Sequence, residues 1–282
     1  MQGAGVLQGR LNISECCSGR LDHLDCFPPT GPFVHYAGFP PRRSTVKHKS
    51  RSSIIAHLLL VEKERTRRDS LPLLRAAVQA LKLYQQRRFE HTYADLLSTQ
   101  RYGAAARFFL DELYGPSDFR MRDAQFIRVA PALTRLFPSE LVHTVETLAR
   151  LHSISESLDS CMGERLLQTR IDPEAYIRAW QSTGRQGDRE TQIALTLEIG
   201  AALDHYTRRP MLRQTLRMMR GPARAAGLPE LQRFLEAGFD AFKTMNGAGD
   251  FLAIIAQRER KLAQTLFRID PSGQPVRGLD AR

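Results

Sequence analysis

Several things that would point to a particular chemistry are scarce in this sequence. There are only four cysteines, six lysines and one tryptophan in 282 residues. Cys16, Cys17 and Cys26 crowd into the first segment and Cys161 stands alone, so they form neither a paired zinc-type motif nor a disulfide framework. A reducing, cytoplasmic setting is expected. No phosphate-cradling glycine loop and no nucleophile elbow is present. The longest aliphatic block, Ile54 to Val61, is too short to span a bilayer and is interrupted by His57. Met1 to Gly19 lacks a basic stretch followed by an apolar run, so no secretory leader is expected there. Strictly alternating apolar and polar residues flanked by hairpin turns are also missing, which argues against a sheet.

What is present is arginine. The chain carries 41 Lys+Arg against 30 Asp+Glu, a formal net charge of +11. The excess sits at residues 1–68 and 204–282, while residues 69–203 are close to neutral. Arginine abundance by itself reflects genome composition as readily as selection for phosphate-binding forks. Position is therefore more informative than the total.

Residues 1–52 combine Pro28-Pro29, Gly31-Pro32, Pro40-Pro41 and a basic run from Arg42, without helical or strand periodicity. They read as a disordered extension. The next methionine is Met121, so a start at an alternative codon such as Val46 would shorten this segment. From Ile54 onward helix signals follow one another. A first helix is expected over 54–68, a second over 71–97, a third over 99–114 closed by Gly115-Pro116, and a fourth from 117 that Pro131 should kink or break. Pro138 opens the longest and most central helix, 139–167, whose apolar residues recur in a 3-4 rhythm. Asp172-Pro173-Glu174 and Gly184 bracket another helix. Further helices are expected over about 187–207, 210–226, 229–246 and 250–267. The tail 269–282 should fray. The reading is all-α: a single irregular bundle of about ten helices over 53–268, with no sheet.

Four strings also carry a resemblance: Arg107 to Phe119 (RFFLDELYGPSDF), Leu151 to Asp159 (LHSISESLD), Leu216 to Ala223 (LRMMRGPA) and Leu231 to Phe239 (LQRFLEAGF). They resemble the signature of a family of uncharacterised proteobacterial proteins, over residues 54–268. The resemblance implies a bacterial, helical protein of unknown function and brings no catalytic residue with it.

Two constellations remain as candidate sites. Arg209, Arg213, Arg217, Arg220 and Arg224 are spaced 4, 4, 3 and 4, which places them on one face of the expected helix 210–226. No acid lies between Asp204 and Glu230. Such a face needs an anionic counterpart, which is either acidic groups of the same fold or an acidic protein or nucleic acid. His152 lies on the apolar side of the long helix with Glu156 and Asp159 one and two turns on. It is either a satisfied core histidine bonded to a carboxylate of its own helix, or part of a site for a small ligand, a haem-like cofactor or a metal. Glu140-x-x-His143 with Glu146 is a single carboxylate–histidine motif where a di-iron bundle needs two, and Glu198 and His205 are its nearest supplement. Phe108, Phe109, Tyr114 and Phe119 read as core. The preferred function is a non-enzymatic binding protein using the arginine face. The alternatives are a ligand-binding bundle around His152, and a purely structural domain. Cofactor identity is unassigned, and homo-oligomerisation is left open.

Overall fold

The computed structural model describes residues 43–112, 115, 117, 119–209 and 211–269. The expected disorder at residues 1–42, the frayed tail from 270, and Tyr114, Pro116 and Pro210 lie outside the described residues. Twelve helices follow in order: α1 (Arg43–Asp69), α2 (Pro72–Thr92), α3 (Ala94–Ser98), α4 (Gly103–Glu112), α5 (Arg120–Leu136), α6 (Ser139–Arg165), α7 (Pro173–Thr183), α8 (Gln186–Thr207), α9 (Leu212–Met218), α10 (Arg220–Ala225), α11 (Pro229–Met245) and α12 (Gly249–Arg268). Among the described residues there is no strand.

Local chemistry sets the boundaries most plainly in α7 and at the end of α11. The Asp172 carboxylate accepts the Ala175 N–H at 2.8 Å, Pro173 occupies the first turn, and Gly184 closes α7 in the left-handed region at φ 64°. Asn246 ends α11 in the same way at φ 51°. Four expectations need correction. α1 begins at Arg43, ahead of the expected Ile54. The expected helices 71–97 and 99–114 are three, because Tyr93 leaves helical geometry and Thr99 accepts the Tyr102 N–H at 3.1 Å, which starts a new turn. Pro131 does not end α5, which continues to Leu136. Helix 210–226 is divided at Met219. Pro222 has no N–H to offer the Met218 carbonyl, and Met219 ends α9 with bonds from its own N–H to Thr215 and Leu216.

α6 is central, packed against α1, α2, α5, α7 and α8. Gly163 permits its close approach to α2, since a Cβ there would meet Val78 Cγ2 at 2.5 Å. The main core joins α1, α2, α4, α5, α11 and α12 around Phe89, Phe109, Phe242 and Phe251. Phe108 and Phe109 belong to it as expected, and Phe119 is also buried. A second cluster gathers Met162, Leu166, Tyr176, Trp180 and Leu266 at the α7 end. Polar side chains fill the region between these two clusters.

Candidate functional site: a charged interior cavity

His152, Glu156 and Asp159 share one face of α6 and all line an interior cavity of about 90 Å³. Lys82 of α2, Arg122 and Asp123 of α5, Trp180 of α7, Arg189 of α8 and Glu259 of α12 complete its polar wall. The three residues expected to share a face therefore line one cavity. The cations that surround them are not among the expected site residues.

Those cations arrive along apolar stripes. Ile54, Leu58 and Val61 are buried at 4-3 spacing on α1, and the next two positions of that rhythm are Arg65 and Arg68, also buried. Charged residues in register with an apolar stripe must find partners inside, because an unpaired ion there is costly. Asp123 Oδ2 accepts from Arg65 Nη2 at 2.7 Å and from His152 Nε2 at 2.8 Å. A carboxylate only accepts, so the contact with Asp123 assigns the imidazole proton to Nε2, which lies 3.1 Å from Arg65 Nη2. The expected same-helix partner for His152 is therefore corrected to a carboxylate of α5.

One turn further, Glu156 accepts from Arg68 through Oε2 and from Lys82 Nζ through Oε1 at 2.6 Å. Lys82 Nζ also stands 3.8 Å from Asp159 Oδ2, and Gln85 donates to Asp159 Oδ1 at 3.3 Å. Glu259 Oε1 accepts from Tyr93 at 2.8 Å and from Arg88 at 3.3 Å. Arg122 is held differently. Its guanidinium lies 3.9 Å from the Phe119 ring centroid and 4.7 Å from that of Phe234. Its contacts with Glu112 and Asp123 are 3.3–3.5 Å, longer than the ~2.8 Å of a strong charge-assisted bond. The nearer oxygen chemistry of Glu112 is taken by Arg233 at 2.6 Å.

These surroundings push neighbouring carboxyls in opposite directions. Burial alone would raise Glu156, but Lys82, His152 and Arg68 overcome it and hold the carboxyl well below the usual range. Asp123 is likewise held low against burial by His152, Arg122 and Arg65. Asp159 goes the other way: burial and the Glu156 charge raise it, with Lys82 and Arg189 only partly opposing. Burial also raises Tyr176 and lowers Arg122. A low and a raised carboxyl three residues apart in one cavity is an arrangement found at binding and catalytic sites.

At the α7 end, the Arg189 guanidinium lies 3.9 Å over the Trp180 ring and donates to Gln192 at 3.1 Å. The buried Trp180 Nε1–H has no acceptor among the described residues. An indole N–H is a donor only, so this group is ready for an oxygen that the fold does not supply.

The other predicted residues lie on the surface. Arg209 pairs with Glu140 at 3.1 Å, Arg213 with Asp240 at 2.8 Å, and Arg220 donates through Nε to both oxygens of Glu236 at 2.7 and 2.9 Å. Arg217 and Arg224 are exposed and have no ion pair or side-chain hydrogen bond among the described residues. His143 does meet Glu198 at 3.0 Å, but both are exposed and Glu140 is engaged by Arg209. Among the described residues no group of three or more histidine, cysteine, aspartate or glutamate side chains could share a metal ion.

An all-α bundle built around a charged interior is the class that fold and site define. The chain belongs to the domain-of-unknown-function family DUF8198, whose model matches residues 64–273. No curated protein and no solved structure matches the chain. No helix among the described residues is long and apolar enough to cross a membrane.

Proposed function

We propose that this domain is a binding module for a compact oxyanion, a short-chain carboxylate in the first instance, held in the interior cavity beside α6. The observation that carries the reading is the buried Trp180 indole, whose N–H has no acceptor among the described residues and whose ring lies under the Arg189 guanidinium, both side chains lining the cavity. Charge permits it. The lining holds four cations (Lys82, Arg88, Arg122 and Arg189) and five carboxylates (Glu112, Asp123, Glu156, Asp159 and Glu259), and Arg65, Arg68 and Arg233 pair with Asp123, Glu156 and Glu112 from outside the lining.

Size limits the ligand. The cavity, about 90 Å³, is smaller than the ~150 Å³ that admits benzene in an engineered apolar core. It is also well below the roughly 300 Å³ at which drug-sized pockets begin. A haem-like macrocycle does not fit that space, whereas a carboxylate of two to four heavy atoms beyond its oxygens does.

The test is thermal unfolding of the full chain in acetate, propionate or inorganic phosphate at constant ionic strength. A ligand at about one hundred times its Kd adds about 2.7 kcal/mol, which for a domain of this size raises Tm by roughly 5–10 °C. Trp180→Phe keeps an aromatic ring but removes the N–H and part of the indole's volume, so it should fold with a lower baseline Tm and lose most of that ligand-dependent shift. Equal shifts in wild type and Trp180→Phe, or none for any small oxyanion, refute the proposal.

A further inference from the structure

A second surface stands apart from the cavity. The α9–α10 segment is fastened at its two ends. Arg209 Nη2 reaches Glu140 at the start of α6, and Arg128 of α5 donates to the Ala226 carbonyl at 2.7 Å and to the Gly227 carbonyl. Between these ties neither α9 nor α10 packs its backbone against α5. α9 has no buried residue, and Ala223 is the one buried residue of α10. The segment is an arch lying on the protein, held on its inner side mainly by α11.

Its exposed surface is both apolar and cationic, although Arg213 and Arg220 turn inward to Asp240 and Glu236 of α11. Met211 is 68% exposed and Met218 73%, seven residues apart and so two turns along one side. Met219 is also exposed, as are Leu136 and Phe137, which precede the Glu140 tie. Arg213 and Arg217 share the neighbouring side of α9, and Arg220 and Arg224 repeat that spacing on α10. Arg217 and Arg224 have no ion pair within 4 Å among the described residues, and Arg217 stands near enough to Glu236 to help hold its carboxyl low. Residues 207–233 contain no aromatic side chain, so the stacking platforms typical of single-strand nucleic-acid binding are absent from this stretch. Large exposed thioethers flanked by arginines suit a boundary that is apolar on one side and anionic on the other.

We propose that the α9–α10 arch docks on an anionic membrane surface, with Met211, Met218 and Met219 entering the headgroup boundary and Arg217 and Arg224 meeting lipid phosphates. This does not depend on the cavity reading. Nothing in it calls for a spanning helix.

Co-sedimentation of the full chain with vesicles tests it. Phosphatidylcholine vesicles containing about a quarter phosphatidylglycerol should pellet the protein at low salt, and pure phosphatidylcholine should not. The double variant Arg217→Gln/Arg224→Gln should weaken binding by about thirtyfold, from the worth of two cations at a negative lipid surface. Met218→Ser/Met219→Ser leaves the charge unchanged and should also weaken binding several-fold. All four positions are exposed, so far-UV circular dichroism should match wild type. Vesicle binding that survives both double variants overturns the proposal. So does an absence of binding to the anionic vesicles, whether or not Arg217- and Arg224-dependent binding to duplex DNA or self-association takes its place.

Discussion

Replacing Glu156 by Gln removes one negative charge from the interior and almost no volume. Arg68 and Lys82 both point at this carboxylate, and their side chains are only 8% and 16% exposed. The amide in its place would accept from one of them and turn its N–H₂ toward the other. Leaving a buried cation without its counter-charge costs about 3–5 kcal/mol, a large share of the roughly 5–15 kcal/mol that holds a domain together. For a domain of this size the loss lowers Tm by roughly 6–20 °C. Urea unfolding followed by helical circular dichroism gives the free energy directly, with an unchanged slope showing that the same surface is exposed. Asp159→Asn is the matched control three residues away. Its carboxyl is raised by burial and by Glu156, so ionising it costs the folded state. The neutral amide should be within about 1 kcal/mol of wild type, or more stable, at pH 7. A loss below about 1 kcal/mol for Glu156→Gln, or equal losses for the two variants, would refute the buried-network reasoning.

Acid should unfold the domain through the same groups. The folded-state values of Asp123 and Glu156 lie below their unfolded ones, so their contribution is complete above about pH 4–5 and is lost as pH falls through the folded values. Asp159 contributes with the opposite sign. Its effect favours the folded state below the unfolded value, and is lost as pH rises through the raised folded value, so Asp159→Asn should gain on wild type as pH climbs above about 4. A stability–pH profile of each variant checks both limbs. Phe242, fully buried and packed on Phe109 and Phe251, should cost about 3–5 kcal/mol on truncation to Ala. Asp172→Ala should cost about 1 kcal/mol by removing the cap on the Ala175 N–H.

The helices were legible wherever local chemistry decides them. Asp172-Pro173 with Gly184, Pro229 with Asn246, and the 3-4 rhythm of α6 all produced the expected elements. Pro131 does not break α5, because a loss of one backbone bond is smaller than what packing α5 against α1 and α11 contributes. Pro222 was the reverse case: α9 and α10 bury almost nothing, so the missing donor divides them. The site was legible in part. His152, Glu156 and Asp159 share a helix and could be read as a face. Their partners Arg65, Arg68, Lys82 and Asp123 lie 29–88 residues away in sequence, and only the fold brings them together. Arg65 and Arg68 did leave a trace, as cations continuing the buried stripe of Ile54, Leu58 and Val61. Trp180 left none, because an indole without an acceptor is a property of the packed interior alone.

Trp180 is the only tryptophan in the chain and lines the cavity, so its fluorescence reports from the proposed site without a label. Titration of the intact protein with propionate, at ionic strength held constant by chloride, is the direct measurement. A saturable change in emission, reproduced by acetate but not by added chloride, is the predicted result. Emission that stays flat, or that follows ionic strength regardless of the anion, would contradict the account.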